Sequence, residues 1–329
     1  MSSLLGRNET LVAGVILAFC MVGALADPGF LSIPTLMDLL RAGIVLGILA
    51  VGVLVVLVSG GIDVSTTSLA IVALYVTTLF VQNVTPEMGW PLAFLLAAVV
   101  GALLGAINGL LIAGLGLPTL IVTLGTLSVF RGFLLTFVGS RLISNLPGGL
   151  RDFSRAMMIR GTNADGSFYS LPWAFAFLVG VVVLTWFLLY RTMLGRQVFA
   201  IGGSMESARR IGIPVRRVQF LVFVYVGALG GLAGIIHASL ARVANPQDLL
   251  LNQQLPVLAA VVLGGARLEG GTGTLTGTLL GVSLIVLVSN SLIALGIPNT
   301  FQSIVIGFLI LLGTGLPAWQ ARRAQRRAA

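Results

Sequence analysis

RTMLGRQVFAIGGSMESARRIGIPVRR, residues 191–217, carries six arginines (Arg191, Arg196, Arg209, Arg210, Arg216 and Arg217) against a single acid, Glu206. Long apolar segments flank it on both sides. A basic loop between two apolar runs is a positive-inside signature, because arginine-rich loops are retained on the cytoplasmic side of a membrane. The stretch therefore sets fold class and orientation together: a membrane-spanning chain with this loop inside. Within it, Ser204 is placed to cap a short amphipathic helix over 205–211, and Gly212 with Pro214 to end it. Residue types alone leave two uses open for this helix. It is either a contact for a partner or a charged loop that holds topology against lipid headgroups.

Composition agrees with a membrane protein. The chain has 329 residues, 57% hydrophobic and 9% charged, with a mean hydropathy of +1.07. A soluble domain averages about 25% charged residues, so too few polar side chains remain here to cover a globule in water. Several windows exceed the ~18 apolar residues that mark a membrane-spanning helix. The reading is an all-α polytopic membrane protein, a single transmembrane domain over 1–329. The net charge of +9 sits in a few loops and a basic tail, 318–329. Cytoplasmic retention beside membrane lipid accounts for that pattern better than nucleic acid does.

The absences narrow the chemistry. The sequence has no lysine, which excludes a P-loop ATPase and Schiff-base catalysis within this chain. One cysteine, Cys20, allows no internal disulfide, and one histidine, His237, argues against a protein-ligated zinc. Neither an HExxH zinc motif nor a GxSxG nucleophile elbow is present, so no catalytic residue, no metal site and no bound cofactor are expected. His237 reads as a satisfied core or interface histidine.

Ten spans follow from the hydrophobic pattern: 11–26, 36–58, 67–82, 91–113, 118–138, 171–190, 218–240, 255–268, 274–295 and 299–317. Arg7, the apolar run 11–23 and Ala24-Leu25-Ala26 also have the form of a signal peptide, but an uncleaved first span is the preferred reading. The eighth span is short for a straight crossing and reads as a broken or re-entrant segment, which must be covered by protein or border a cavity. With the N-terminus cytoplasmic, twelve arginines fall inside: Arg7, the six of 191–217, Arg267, Arg322, Arg323, Arg326 and Arg327. Five fall outside: Arg141, Arg151, Arg155, Arg160 and Arg242. Both termini are therefore expected in the cytoplasm. The loop 139–170 is long enough for a small folded external element. Gly101-Ala-Leu-Leu-Gly105 leading to Gly116-Leu-Pro118 is echoed by Gly277-Thr-Leu-Leu-Gly281 leading to Gly296-Ile-Pro298, five spans later. An odd offset fits inverted five-helix repeats, although chance echo in a glycine- and leucine-rich chain stays open.

Most glycines read as helix packing, since small residues four apart let backbones approach in lipid. Gly101, Gly105 and Gly109, and Gly227, Gly230, Gly231 and Gly234, are the clusters. SGGIDVS, 59–65, is different: Asp63 follows two glycines at the end of a long apolar span. It reads as a helix cap, as a residue bordering a cavity, or as both. Other polar residues in or near spans are Asn108, Thr119, Thr123, Thr126, Ser128, Arg131, Ser289, Asn290, Ser291, Gln302 and Ser303. They are mostly neutral, which suits a hydroxyl-rich solute better than an ion. Asp63, Asn108, Thr119, Thr123 and Asn290 are the pathway candidates. Asp38 and Arg41, at i and i+3 on the second helix, can pair with each other and read as structural.

Four segments now carry a resemblance: SGGIDVS at 59–65, AIGGSMESARRIGI at 200–213, VVLGGARLEGGTGT at 261–274 and GIPNTFQSIVIGFLIL at 296–311. Together they resemble the membrane permease subunits of ATP-driven monosaccharide importers. This is the ribose-type branch, autoinducer-2 permeases included, which shares its fold with branched-chain amino-acid permeases. The resemblance implies a second permease subunit, identical or paralogous. It further implies ATP-binding subunits that hold ATP and magnesium themselves, a periplasmic or lipid-anchored solute-binding protein, and a place in the bacterial inner membrane. It implies that 200–213 is the ATPase coupling segment, with Gly202, Gly203, Ser204, Glu206, Ala208, Arg209, Gly212 and Ile213 as its residues. Ser204 stands where many relatives have asparagine, and Arg209-Arg210 where alanine or lysine is usual. A secondary carrier driven by an ion gradient, with Asp63 as its ion site, is the rival reading. An accessory membrane scaffold with no pathway is the third.

Overall fold

Ser32 opens the longest apolar helix of the first half: its Oγ accepts from Thr35 N at 3.4 Å, with Pro34 in the first turn. The computed structural model describes residues 8–26, 28–163, 166–294, 301, 304–308 and 311. Its helices, in chain order, are α1 (Asn8–Ala26), α2 (Ile33–Val58), α3 (Thr66–Asn83), α4 (Trp90–Gly109), α5 (Thr119–Phe133) and α6 (Gly148–Arg155). Then follow α7 (Ala174–Arg191), α8 (Met193–Gly203), α9 (Met205–Arg210), α10 (Val215–Ala241), α11 (Gln254–Leu263) and α12 (Leu275–Ala294). Single turns of π-helix extend α4 through Gly114 and α5 through Val138.

Seven of the helices described are long and apolar enough to cross a membrane: α2, α3, α4 and α5 with their extensions, α7, α10 and α12. The chain is thus a mostly helical, multi-pass membrane protein, with predicted and observed ends agreeing closely for these seven. From Ala42 to Val58 α2 is apolar on every side, the pattern of an enclosed helix. Eighty-three per cent of its apolar window is buried, against 28% for α5 and α7, so α2 is the axis and those helices are the periphery.

The glycine clusters do what the spacing predicted. α4 crosses α10 at Gly101, Gly105, Gly227 and Gly231. A Cβ on Gly101 would lie 2.2 Å from Gly227 O, and one on Gly231 2.0 Å from Ala97 O. No residue larger than glycine fits this backbone-to-backbone seam. Gly277 and Gly281 of α12 form a second seam with α11, where added Cβ atoms would meet Gly264 O at 2.0 Å and Ala260 O at 1.9 Å.

Three expectations change. The eighth span ends at Leu263 rather than 268, because Gly264-Gly265 turns the chain; Gly265 has φ +94°. Ten residues rise only about 15 Å, half of a ~30 Å hydrocarbon core. The 191–217 stretch holds two helices, not one. Thr192 Oγ1 accepts from Gly195 N and starts α8, a signal hidden by the arginines around it. Asp38 and Arg41 form no ion pair among the described residues; each instead borders a cavity. The 139–170 loop is a folded element, as expected. It contains α6 and an antiparallel hairpin, β1 (Met157–Thr162) with β2 (Phe168–Pro172). Phe153 of α6 packs edge-on against Phe94 of α4, with centroids 4.7 Å apart. The tail 318–329 lies outside the described residues, as do most of 299–317, Gln302, Ser303 and Gly296–Pro298.

Candidate functional site

The stretch 191–217 folds into a capped joint. Ser204 Oγ accepts from Ser207 N at 3.2 Å at the start of α9, and Gly212, at φ +84°, reverses the chain at its end. Ile213 N donates to Ala208 O at 3.0 Å, which closes the turn. Glu206 and Arg210 pair across one turn of the exposed face. Ala208 points inward at 2% exposed, while Ile211 stands out at 75%. An exposed isoleucine beside Arg209 and Arg210 forms an apolar point in a basic surround.

Immediately before α9, the backbone enters the protein. Gly202 packs on the last turn of α2, where an added Cβ would sit 1.8 Å from Val58 O and 2.5 Å from Gly271 N. Gly271 N donates to that same Val58 O at 3.0 Å. Gly60 (φ +84°), Gly270 (φ +94°) and Gly271 (φ +74°) complete the contact, and a Cβ on Gly270 would be 2.5 Å from Gly60 Cα. Such positive φ values favour glycine, and at Gly202 and Gly270 the neighbouring main chain leaves no room for a Cβ. Three segments far apart in sequence, 59–65, 200–213 and 261–274, thus interlock through main chain at one end of α2. Sequence reasoning missed this convergence. Its signal was a glycine pair in each segment: Gly60-Gly61, Gly202-Gly203 and Gly270-Gly271.

The interlock leads directly into the Asp63 turn. Asp63, 3% exposed, accepts through Oδ1 from Ser65 N at 2.7 Å and Ser65 Oγ at 2.6 Å, and through Oδ2 from Thr66 Oγ1 at 2.9 Å. These bonds close a side-chain turn just ahead of α3; the N-cap itself is Ser65, which makes no side-chain cap bond, so Asp63 fixes the entrance of the helix rather than capping it. Asn108 of α4 donates through Nδ2 to Ser65 Oγ at 2.8 Å. Its buried Oδ1 has no partner among the described residues. From α5, Thr119 Oγ1 accepts from Ile62 N at 3.2 Å and Thr123 Oγ1 donates to Ile62 O at 3.2 Å. Four of the pathway candidates therefore form one network that ties α3, α4 and α5 to the interlock. Thr126 does not join it; its hydroxyl bonds back to Val122 O at 3.0 Å.

Asn290 lies elsewhere. It lines a cavity of 550 Å³ between α2, α10, α12 and the 3-10 turn Leu249–Gln253 that precedes α11, with Asp38, Arg41, His237, Gln253 and Ser289 as the other polar or charged lining groups. That volume is within the ~300–1,000 Å³ of small-molecule pockets. His237 Nε2 hydrogen-bonds Asp248 Oδ1 at 2.8 Å. Burial pushes the Asp248 carboxyl up, but the hydrogen bond and charge of His237 and the Leu250 N–H outweigh it, holding the group below its ordinary value. Among the described residues no group of three or more His, Cys, Asp or Glu is placed to hold a metal ion.

Residues 35–313 match the family described as branched-chain amino acid transport system, permease component. The autoinducer 2 import system permease protein LsrC of Enterobacter sp. (strain 638) is 33% identical over 327 residues, covering 99% of this chain and 91% of that protein. The ribose import permease protein RbsC of Bacillus subtilis (strain 168) is 36% identical over 295 residues, covering 89% of this chain and 87% of that one. No solved structure matches.

Proposed function

The chain belongs to the family of branched-chain amino acid transport system permease components, as a multi-pass membrane transport subunit and not an enzyme. We propose that it is the translocation subunit of an ATP-driven importer of a neutral monosaccharide or sugar-like solute. Relatives named for ribose and for autoinducer 2 support that solute class. The importer pairs this chain with a second permease subunit, two ATP-binding subunits that carry ATP and magnesium, and an external solute-binding protein. It resides in a bacterial inner membrane, with ten spans in two inverted five-helix halves and both termini cytoplasmic, matching the arginine distribution.

Gly202–Ile213 is the coupling segment in this reading, and one observation carries it. The exposed, capped α9 follows without slack from a backbone interlock that also fixes the Asp63 turn. A push on α9 from an ATPase subunit is then delivered to the ends of α2 and α3. The solute's route runs from the cavity at Asn290 toward the network of Asp63, Asn108, Thr119 and Thr123. Asp63 already accepts three hydrogen bonds, which leaves it poorly suited to the proton or cation site that a secondary carrier needs.

The double substitution Gly203→Pro with Glu206→Arg tests the coupling. In reconstituted complexes, solute-stimulated ATP hydrolysis and uptake should be lost while the subunits still co-purify. Full coupled hydrolysis by that variant would overturn the assignment.

A further inference from the structure

The cavity at the end of α2 opposite the interlock is open, with Asp38 and Arg41 exposed and Gln253 and Asn290 half-buried at its wall. Among the described residues, the side chains of Asp38, Arg41, Gln253 and Asn290 make no hydrogen bond or ion pair. Asp38 and Arg41 are a turn apart on α2, close enough to satisfy each other, yet both are turned to the cavity. Val45, Leu46, Leu49, Ile285 and Val286 form its apolar wall. An apolar wall with a few convergent polar groups is the build of a small-molecule site.

The donor and acceptor set is mixed. Asp38 accepts only, Arg41 donates only, and Gln253 and Asn290 each do both. Hydroxyl groups also do both, so a polyhydroxylated solute can satisfy all four at once, its C–H faces lying on the apolar wall. An anion would meet Asp38 as a repulsive neighbour, and a cation would meet Arg41. A zwitterionic amino acid matches Asp38 and Arg41 with its two charges, but it carries them on one carbon, whereas the hydroxyls of a polyol are spread along its length to reach all four groups. The floor of the cavity at Leu49 is about 14 Å along α2 from Val58 at 1.5 Å per residue. The interlock and the cavity thus share one buried helix. We infer that this cavity is the solute-binding site within the membrane, specific for a neutral polyol or monosaccharide held by Asp38, Arg41, Gln253 and Asn290. The inference rests on the importer reading above.

Thiol protection on the full chain in lipid nanodiscs tests it. Cys20→Ser removes the native thiol, and Asn290→Cys or Gln253→Cys places one in the cavity. Labelling by a charged methanethiosulfonate is timed with D-ribose, D-xylose, D-glucose or ribitol present, and separately with L-leucine. Site occupancy slows labelling by 1 + [L]/Kd, about threefold at twice Kd. At least one sugar or polyol should protect both positions, L-leucine should not, and Asp38→Ala with Arg41→Ala should each weaken the protection. Labelling unaffected by every sugar and polyol, or protection by L-leucine alone, overturns the inference. A cysteine at Ser207 separates the two ideas: if added ATPase subunits shield it while no sugar protects the cavity, the importer reading stands and the site assignment falls. Size-exclusion profiles matching the parent chain establish that each variant is folded.

Discussion

The two ends of α2 are built on opposite principles. At Val58 the helix meets glycine main chain from three segments, with no side chain between them. At Asp38–Leu49 it borders a cavity with charged side chains that have no partner among the described residues. The first arrangement is stiff, because close-packed main chain has no rotamers to absorb a displacement. The second is adaptable, because its hydrogen bonds are left for something else to make. One helix therefore joins a place suited to passing force to a place suited to receiving a solute.

Neighbouring glycines break the comparison most sharply. A methyl on Gly202 would lie 1.8 Å from Val58 O, while one on Gly203 would meet nothing within 4 Å. Gly202→Ala should cost about 3 kcal/mol or more, at the upper end for overpacking. Gly203→Ala should fall within about 0.5 kcal/mol of the parent. Thermal unfolding of the two purified variants measures the gap, and equal midpoints would remove the interlock from the account.

The turn beyond the interlock comes next. Asp63→Ala leaves Ser65 N–H and two hydroxyls without their acceptor in a buried site, a cost of about 2–3 kcal/mol. Asn108→Ala removes a single donated bond and should cost about 1 kcal/mol. Denaturation in detergent should rank them in that order.

The sequence made much of this legible, and the reasons are local. α2 and α10 announce themselves through unbroken apolar runs, and α9 through Ser204 before it and Gly212 after it. Asp63 was readable as belonging to a helix entrance from Ser65 and the apolar run that follows, but the cap position itself falls on Ser65. The interlock was not readable, since nothing in 59–65, 200–203 or 270–271 states that their main chains meet. The i, i+3 spacing of Asp38 and Arg41 suggested a pair, because spacing along a helix is silent about a cavity beside it. α8 was not legible because its one start signal, the Thr192 cap, follows directly on Arg191 at the end of α7, with no turn residue between the two helices.

At the cavity end, effects on stability should be small and effects on solute handling large. Asp38→Asn and Arg41→Gln should each move stability by less than about 0.5 kcal/mol, because neither side chain has a partner to lose among the described residues. Uptake by reconstituted importer should fall several-fold in both. The smallest effect belongs to Asp248. Its carboxyl titrates below the ordinary value of 3.8 when folded, so its contribution is present above that pH and is lost as pH falls through the folded value. Asp248→Asn should therefore lower stability by a small, constant amount above about pH 5, with the difference from the parent shrinking below about pH 4, so that the acid limb is shallower.

Gly60→Ala is the mildest way to loosen the interlock and so the most direct test of force transfer through it. An added Cβ has room, 3.4 Å from Gly202 Cα, but φ +84° is strained for alanine, at about 1–2 kcal/mol. In complexes reconstituted with ATP-binding subunits and binding protein, the account predicts that basal ATP hydrolysis persists while stimulation by solute is lost. Gly203→Ala, measured beside it, should keep that stimulation. Undiminished stimulation in Gly60→Ala would contradict the claim that α9 acts through this glycine contact.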